Sequence, residues 1–394
     1  MKGHVLIVVQ NLPVPLDRRV WMEAQALRTA GYEVSVICPL GGYSETYEEL
    51  QGVQIHRYPE PHGQGSTLDF VWEFGYCWSR AAWLAARIHR KNRIDAVQAC
   101  NPPDTYFLLG LIMQRLGAKF VYDQHDLCPE IYSARFDDPN PALLSALHAL
   151  ERRTYRTADH VITTNESFRS VAVRRGSLKP DNITIVRSGP RASLMQRDEP
   201  VPELKNGRQH LLCYLGIMGP QDGVDIALYV AHELIVNRGR DLQFAMLGFG
   251  DCFHELQKQS ADLGLVDHVT FTGRADDTMI RDYLSTATIG LSPDPQNQMN
   301  DLCTMNKTLE YMAHELPVVA FDLTETRVSA GAASVYAQPN EVLAFADEVD
   351  RLLDDETRRK EMGRIGRERI ENELSWEHSA KAYVEVYDNL LGPS

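Results

Sequence analysis

The chain has 394 residues, of which 44% are hydrophobic and 24% charged, enough for two α/β domains that each bury a core. Its formal net charge is −14, and the acidic excess lies almost entirely in residues 191–394, which argues against nonspecific nucleic-acid binding. The seven scattered cysteines form no Cys-x-x-Cys pair, as expected for a reducing cytoplasm and not for a disulfide framework or a zinc site.

The N-terminal segment predicts a buried first strand. Its apolar run, Val5–Val9, follows Met1–His4 directly and is too short for a signal peptide. No run of 18 or more apolar residues occurs anywhere in the sequence, so no transmembrane helix is expected. Together these features predict a cytoplasmic protein.

The first half alternates short apolar runs with helical patterns such as Val20–Thr29 and Leu143–Arg156. This alternation is typical of βαβ units and predicts a parallel sheet within a Rossmann-like domain over residues 1–190. The predicted strands are Val5–Val9, Val34–Cys38, Ala96–Ala99, Phe120–Tyr122, His160–Thr163 and Ile183–Val186.

A basic cluster interrupts the near-neutral first half, beside the apolar residues Trp78, Trp83 and Leu84. Such a cluster is typical either of a solvated helix face or of a helix that contacts a membrane surface. The sequence leaves both interpretations open. The basic residues are Arg80, Arg87, Arg90, Lys91 and Arg93.

A turn-rich stretch without apolar periodicity predicts a linker over residues 191–209. Strand-like runs then resume, which predicts a second Rossmann-like domain over residues 210–375. The segment Trp376–Leu391 is amphipathic, and we expect residues 376–394 to form a helix that crosses back to the first domain. The runs of the second domain are Leu211–Leu215, Gln243–Leu247, Val269–Phe271, Ile289–Leu291 and Val318–Phe321.

Several catalytic signatures are missing from the sequence. It contains no Walker A phosphate loop and no Gly-x-Ser-x-Gly elbow. The segment Leu247–Asp251 has two glycines, but it lacks the third glycine and the ribose-binding acid of an NAD site. There is no Asp-x-Asp, the motif with which metal-dependent sugar transferases commonly hold a cation on a diphosphate. A bound diphosphate would therefore have to be neutralised by helix N-termini, backbone amides and Lys or Arg, without a metal.

The strongest candidate for a functional segment is Asp301–Ala313. Thr304 is the predicted N-cap of a helix that runs to about His314, whose N-terminus would attract an anion. Lys307 adds a full positive charge, and Glu310 lies on nearly the same face, where its carboxylate can accept both hydroxyls of a ribose. From the residues alone, an ordinary amphipathic helix with a surface Lys–Glu pair is an equal alternative.

The segment Asp301–Ala313 resembles the donor-binding signature of the retaining GT-B glycosyltransferases of family 4. Other segments resemble landmarks of that family in the same order, so that the resemblance covers nearly the whole chain. It implies the GT-B fold, an α/β architecture of two tandem Rossmann-like domains with the active site in the interdomain cleft. The matching segments are Val20–Ile37, Tyr122–Glu130, Ala158–Asn165, Leu215–Asp225, Leu247–Gly250 and Phe271–Arg274.

The resemblance also implies roles for single residues. Glu310 would bind the donor ribose, His125 would contact the sugar at the reacting centre, and Asp301 would contact the sugar hydroxyls. The diphosphate would be held by amides near Thr304, with Asn306 and Gly219 as further donor-binding residues. Two alternatives stay open: His125 as a satisfied histidine at a strand end, and Asp301 as a loop or capping residue.

The sequence departs from the family pattern in two places. Asp301 and Glu310 are one residue further apart than the usual pair of acids. The loop Ile217–Asp222 has no positive charge where the family places an Arg and a Lys against the diphosphate. We expect Lys307, Arg274, or one of the first-domain arginines Arg18 and Arg19, to take the place of that pair.

The predicted function is transfer of a sugar, with retention, from a UDP- or GDP-linked donor to a hydroxyl acceptor. The first domain would bind a lipid-linked, glycan or small-molecule acceptor, and the second the donor nucleotide, in surface polysaccharide or glycolipid biosynthesis. No cofactor and no metal are expected, and peripheral contact with the inner membrane face would occur through the first domain. The alternatives are a glycosyltransferase acting on a small natural product, a sugar-nucleotide epimerase, and a noncatalytic sugar-nucleotide sensor.

Overall fold

The computed structural model describes residues 2–61, 67–136 and 138–392. The chain forms two compact units, one consisting of Met1–Arg187 together with Ser379–Ser394 and the other of Ser188–His378. We call them unit 1 and unit 2. The segment predicted as a linker belongs to unit 2, since the division falls between Arg187 and Ser188.

Eight strands form the sheet of unit 1: β1 (His4–Val8), β2 (Glu33–Pro39), β3 (Tyr47–Leu50), β4 (Val53–Tyr58), β5 (Ala96–Cys100), β6 (Lys119–Gln124), β7 (His160–Thr163) and β8 (Ile183–Ile185). Their order is β3-β4-β2-β1-β5-β6-β7-β8, and only β3 and β4 pair antiparallel. The central strands β1 and β5 are buried along their whole length, as apolar runs in a parallel sheet predict.

The antiparallel hairpin of β3 and β4 was not predicted from the sequence. Its two-residue turn is Gln51-Gly52, and both residues have positive φ, at 51° and 79°. This backbone suits the right-handed twist of the strands that it joins. Strand β3 carries the polar pattern Tyr47-Glu48-Glu49-Leu50 and lies at the sheet edge without a buried residue, so that no apolar run marks it.

Helices cover the sheet of unit 1, and side-chain caps fix several of their starts. The Asp17 carboxylate accepts a hydrogen bond from the Val20 amide at 3.0 Å, so the first helix begins two residues earlier than its apolar pattern predicts. The helices are α1 (Arg18–Thr29), α2 (Thr67–Lys91), α3 (Phe107–Arg115), α4 (Cys128–Arg135), α5 (Pro141–Thr157) and α6 (Glu166–Gly176).

Unit 2 contains a parallel sheet of six strands: β9 (His210–Leu215), β10 (Leu242–Leu247), β11 (Val269–Gly273), β12 (Ile289–Ser292), β13 (Val318–Phe321) and β14 (Ser334–Ala337). Their order is β11-β10-β9-β12-β13-β14, and strand β14 was not predicted. The helices are α7 (Val224–His232), α8 (Phe253–Asp262), α9 (Asp277–Thr286), α10 (Asn306–Ala313), α11 (Thr324–Ala330), α12 (Val342–Asp354) and α13 (Glu356–Arg369).

The last helix, α14 (Trp376–Leu391), belongs to unit 1 from Ser379 onward. Its predicted apolar stripe includes Tyr383 and Tyr387, whose rings are fully buried. Asp388 accepts hydrogen bonds from Lys2 at 2.8 Å and from the Tyr32 hydroxyl at 2.6 Å. The helix therefore packs on the strands and helices formed by residues 2–187.

Both units confirm the predicted fold class of two Rossmann-like domains with parallel sheets. In each sheet the strand order reverses its direction at one point, between β1 and β5 in unit 1 and between β9 and β12 in unit 2. The loops that follow neighbouring strands diverge there and leave a crevice in which α/β proteins bind ligands. Among the described residues, no helix combines the length and apolar character needed to cross a bilayer.

Candidate active site

The loops that follow β9 and β10 lie backbone against backbone beside the reversal point of unit 2. The Gly216 amide donates to the Leu247 carbonyl at 3.0 Å, and the Gly248 amide donates to the Gly273 carbonyl at 3.1 Å. A Cβ atom on Gly248, whose φ is +143°, would lie 1.8 Å from the Gly216 carbonyl oxygen. Glycine is therefore required at position 248, because any side chain would push these loops apart.

A buried polar cluster lies beside these loops, at the carboxyl end of β12. The Lys307 ammonium forms an ion pair with the Asp294 carboxylate, and both side chains are almost fully buried. Asp294 also accepts a hydrogen bond from the Ser292 hydroxyl at 2.7 Å, and the Thr308 hydroxyl donates to Ser292 at 3.3 Å. Removal of one partner would leave a buried charge without compensation, so this pair fixes the start of α10 against β12.

Lys307 is thus not part of a surface Lys–Glu pair, which was the alternative that the sequence left open. Its ammonium lies 5.2 Å from the centroid of the Tyr214 ring, in cation–π geometry. A Cβ atom added to Gly216 would lie 3.2 Å from the Lys307 Cε atom, so the lysine side chain passes close to the Gly216 backbone. Lys307 therefore brings a positive charge to the end of β9, with Asp294 as its counter-ion.

The predicted cap at Thr304 is wrong. Helix α10 begins at Asn306 after Met305, whose side chain makes no capping hydrogen bond. A 3₁₀ turn over Asn300–Leu302 and the extended backbone of Cys303 precede the helix, and Met305 itself is extended. The amides at the mouth of the helix are consequently those of Asn306 and Lys307.

Glu310 lies one turn beyond Lys307 on α10. Its neighbours Leu309 and Tyr311 are fully buried, whereas Glu310 itself is half-buried. The Tyr311 hydroxyl donates to the Leu291 carbonyl at 3.1 Å and receives a hydrogen bond from the Leu215 amide at 2.8 Å. The helix is therefore anchored to both β9 and β12, and its anchoring places the Glu310 carboxylate at the margin of the core.

Of three other predicted donor-site residues, Asp301 and Gly219 form hydrogen bonds within unit 2, and Arg274 is exposed. The Asp301 carboxylate accepts two hydrogen bonds from Thr324, from its amide and its hydroxyl, each at 2.9 Å, and so caps α11. The Gly219 amide donates to the Asp222 carboxylate at 2.9 Å within its own loop. Arg274 is exposed directly after β11. The predicted roles of these residues toward a donor stay predictions.

Unit 1 has a buried cluster of charged groups at the carboxyl end of β6. The Asp123 carboxylate accepts a hydrogen bond from Arg19 at 2.8 Å through one oxygen and contacts His125 Nε2 at 2.7 Å through the other. The Arg19 guanidinium also contacts Glu23 at 3.0 Å and donates to the Val186 carbonyl at 2.8 Å. A carboxylate can only accept, so His125 carries its proton on Nε2 and keeps Nδ1 for other partners.

Arg19 and Arg18 were both candidates for binding phosphate, and the structure separates them. Arg19 is buried inside the cluster, whereas Arg18 is exposed at the first position of α1. Burial opposes the charge of Arg19, but the Asp123 and Glu23 carboxylates hold its pKa above the usual range. Arg19 therefore acts as the counter-ion of the cluster.

The cluster shifts the protonation of its other members. Burial opposes ionisation of Asp123, but Arg19 and His125 hold the pKa of that carboxyl well below its usual range. Burial lowers the pKa of His125 while Asp123 raises it, and the net shift is upward. Burial, reinforced by the Asp123 charge, raises the pKa of Glu23 to about 8 against the opposing effect of Arg19. The Asp123 carboxylate thus favours the protonated form of His125, which suits a group acting on a developing negative charge.

Four members of this region have the residue types of a metal site. Ligand atoms of Glu23, Cys100, Asp123 and His125 all lie within 4.8 Å of one another. The Arg19 guanidinium, however, already contacts both carboxylates and supplies the positive charge that they need. We therefore describe the group as an ion-pair cluster.

The segment after His125, which resembles a landmark of the family, also holds helices of unit 1 together. Glu130, on α4, forms an ion pair with Arg175 of α6, which also contacts Glu151 of α5 at 3.1 Å. This pairing ties three helices together. The His125 backbone amide in turn donates to the Asn101 side chain at 2.7 Å, which fixes the turn that presents the imidazole.

Sequence reasoning missed Asp294 and Asp123, although each had a signal. Asp294 lies two residues after the end of β12, and Asp123 lies at the end of the run that forms β6. Polar residues at the carboxyl ends of parallel strands are candidates for a site because these ends share one edge of the sheet. Glu23, and Gln98 of β5, which donates to Asp123 at 2.9 Å, could not be identified in this way. Nothing in the sequence distinguishes them from other polar residues of a helix and a strand.

Comparison with known proteins agrees with this architecture. Residues 16–189 match the model of a glycosyl transferase 4-like domain, and residues 209–355 match the model of the glycosyl transferases group 1. The fold is similar to that of Anabaena HepE in a crystal structure with UDP-glucose, with a TM-score of 0.73 and 14% identity over 98% of this chain and 100% of that one.

Two enzymes of Streptomyces kanamyceticus are similar in sequence. Alpha-D-kanosaminyltransferase is 30% identical over 154 residues, which span 39% of this chain and only 38% of that enzyme. The 2-deoxystreptamine glucosyltransferase is 24% identical over 330 residues, covering 79% of this chain and 83% of that enzyme. The chain belongs to the GT-B glycosyltransferases, with a glycosyl transferase 4-like domain followed by a group 1 domain.

Proposed function

We propose that this glycosyltransferase uses a nucleoside diphosphate sugar as its donor and binds the nucleoside at the reversal point of unit 2. The observation that carries the proposal is the placement of α10. Its mouth, the charge of Lys307 and the half-buried carboxylate of Glu310 all occur within two turns beside the ends of β9 and β12. A ribose presents two hydroxyl donors that suit Glu310, and a diphosphate suits the helix mouth.

The proposal assigns neutralisation of the diphosphate to this chain's own groups. The first amides of α10 and the Lys307 ammonium would hold the phosphate oxygens, while Asp294 keeps the lysine oriented from its buried side. Arg274, exposed directly after β11, is a further cation at the carboxyl ends of the same sheet. These groups would stabilise the charge that develops on the leaving diphosphate, which is the main electrostatic task of the reaction.

Within the same proposal, His125 contacts the donor sugar. Its support is the Asp123 carboxylate, which fixes one ring nitrogen as a donor and raises the pKa of the imidazole. Retention of the anomeric configuration is implied by the family resemblance. In such a same-face reaction, the leaving diphosphate takes the proton of the acceptor hydroxyl, so that the protein need not supply a covalent nucleophile.

Two acceptor classes follow from different observations. The resemblance to family 4 favours a lipid-linked or glycan acceptor. The similarity to 2-deoxystreptamine glucosyltransferase favours a small polar acceptor, since the name of that enzyme specifies one. We propose the lipid-linked or glycan acceptor as the first candidate and the small natural product as the second.

A panel of donors and acceptors tests the proposed function. Purified protein is incubated with radiolabelled UDP-, GDP- and ADP-sugars, with and without lipid-linked acceptors, glycans and aminocyclitols. Release of nucleotide that depends on an acceptor, with label in the product, is the expected result. Isomerisation of the donor without an acceptor would instead identify an epimerase, and binding without turnover of any donor would identify a sensor.

We further propose that unit 1 contacts an anionic membrane surface through α2 and α3. Trp83 is half-exposed and carries the guanidinium groups of Arg80 and Arg87 over its ring, at 5.1 and 5.6 Å from the centroid. On α3, Leu108, Leu111 and Ile112 are exposed, although α3 also contributes buried side chains to the core of unit 1. A face that combines arginines with aromatic and aliphatic side chains suits a bilayer interface.

A further inference from the structure

Gln98 is a buried amide at the centre of the ion-pair cluster of unit 1. It lies on β5 and is completely inaccessible to solvent. Its amide nitrogen donates to Asp123 at 2.9 Å and to Glu23 at 2.7 Å. Both of its N–H groups therefore donate to carboxyl groups, and the orientation of this amide determines whether a donor or an acceptor faces Asp123.

The carbonyl side of the same amide is held by the C-terminal helix. The Tyr383 hydroxyl donates to Gln98 Oε1 at 2.6 Å, and the Tyr387 hydroxyl donates to the same oxygen. The two tyrosines are one turn apart on α14, both fully buried, with ring centroids 5.4 Å apart. Two hydroxyl donors on one oxygen fill its acceptor capacity and oppose a rotation that would exchange oxygen and nitrogen.

We propose that Tyr383 and Tyr387 are positioning residues for His125, acting through Gln98 and Asp123. The hydroxyls hold the Gln98 carbonyl, the Gln98 amide then faces Asp123, and the Asp123 carboxylate orients the imidazole by accepting from Nε2. Each link is a hydrogen bond within unit 1, so residues of the last helix act on a side chain more than 250 positions earlier in the chain. The catalytic consequence rests on the proposed function of His125.

The charges that face His125 determine in which direction its titration should move when the two tyrosine hydroxyls are removed. The groups that face the imidazole are Asp123 on β6, Asp126 just after that strand, Arg19 and Glu23 on α1, and the Cys100 thiol on β5. Without the hydroxyls of Tyr383 and Tyr387, the Gln98 amide is free to rotate. Its N–H group then no longer stays hydrogen-bonded to Asp123, and the negative charge of Asp123 is less well compensated. The uncompensated carboxylate then attracts the imidazole proton more strongly, so we expect the titration of His125 to move to higher pH.

The test replaces only the hydroxyls, in the full-length protein. The variants are Tyr383→Phe, Tyr387→Phe and the double variant, with Tyr32→Phe as the matched control. Tyr32 also donates its hydroxyl to α14, but it does so to Asp388 and not to Gln98. The titration of His125 is followed by NMR in the ligand-free protein and is assigned with His125→Gln, while kcat and the donor KM are measured in parallel.

We expect the double variant to shift the His125 titration upward and to lower kcat about tenfold, with the donor KM within about twofold of wild type. The control should change neither quantity. An unshifted titration in both single variants and the double variant would overturn the proposal, as would an equal shift in Tyr32→Phe, which would indicate general loosening of α14. If His125→Gln retains wild-type kcat, the assigned role of His125 fails, and the ligand-free titration still decides whether the tyrosines position it.

Discussion

Glu310 and Lys307 lie one turn apart on α10, yet their surroundings differ. Lys307 is enclosed by Asp294 and the Tyr214 ring, whereas Glu310 is half-buried. Loss of the lysine would therefore disturb the fold of unit 2 together with any ligand, because it would leave Asp294 buried and unpaired. Glu310 is the residue that can test donor binding with less structural interference.

Glu310→Ala should lower kcat/KM for the donor at least roughly tenfold, through loss of the hydrogen bonds to the ribose hydroxyls. Glu255→Ala, at an exposed glutamate of α8, is the matched control and should behave as wild type. Steady-state kinetics with the active donor measure the change, and thermal unfolding of both variants verifies that the fold is kept. Near-normal kinetics for Glu310→Ala would reject its assigned role.

For single residues, the sequence predicted some positions and missed others. Lys307 was expected one turn into its helix, and it is the second residue of α10. Its counter-ion Asp294 was not expected, because it comes from the end of a strand thirteen positions away, and only the fold brings the two together. Thr304 was predicted one residue too early as the cap, because backbone geometry decides the cap and the extended Met305 takes the N-cap position.

The elements that matter most for the proposed donor site are the loops after β9 and β10. They approach each other so closely that the backbone of one fills the space of a side chain on the other. The family resemblance marked both loops, but their contact could not be predicted from the sequence, because it depends on the pairing of β9 with β10. Strand β14 and the hairpin of β3 and β4 escaped prediction for a related reason, since pairing with a neighbouring strand stabilises short or polar segments.

Gly248→Ala should lower the free energy of unfolding by more than about 3 kcal/mol, because the new methyl group collides with the Gly216 carbonyl and the backbone adopts a positive φ. Gly264→Ala is the control, since its φ is +73° and a Cβ there meets no described atom within 4 Å. It should cost only about 1 kcal/mol, from the left-handed backbone alone. Urea unfolding measures both values. Equal losses in the two variants would contradict the proposed packing of the loops.

At the scale of the whole molecule, the strand–helix rhythm was sufficient to predict two Rossmann-like domains in tandem. The alternation of strand and helix patterns reflects local burial, and it is compatible with few sheet topologies other than a parallel one. The amphipathic pattern of the last segment also predicted a helix that returns to the first domain. Its contacts there could not be predicted, because residues 379–394 join unit 1 through Tyr32 and Gln98, which are far apart in the chain.

The intact protein should bind vesicles that contain anionic phospholipid more tightly than neutral vesicles, because the arginines of α2 lie beside exposed Trp83. The charge reversals Arg87→Glu and Arg90→Glu together should weaken this binding at least roughly tenfold. Lys258→Glu, on an exposed position of α8 in unit 2, should not. Co-sedimentation at two salt concentrations measures the effect. Equal binding to both kinds of vesicle, or no loss in the arginine variant, would contradict the proposed contact.

The division of the chain also sets an order in which its parts can be completed during synthesis. Unit 2 is continuous in sequence, so its core can close as soon as residue 378 has left the ribosome. Gln98 and Asp123 are translated before any of unit 2, but their cover, the tyrosine pair of α14, emerges after all of it. The part of the chain that is made first is therefore finished last, and a nascent chain paused before residue 379 would hold a folded unit 2 beside an open, charged core in unit 1.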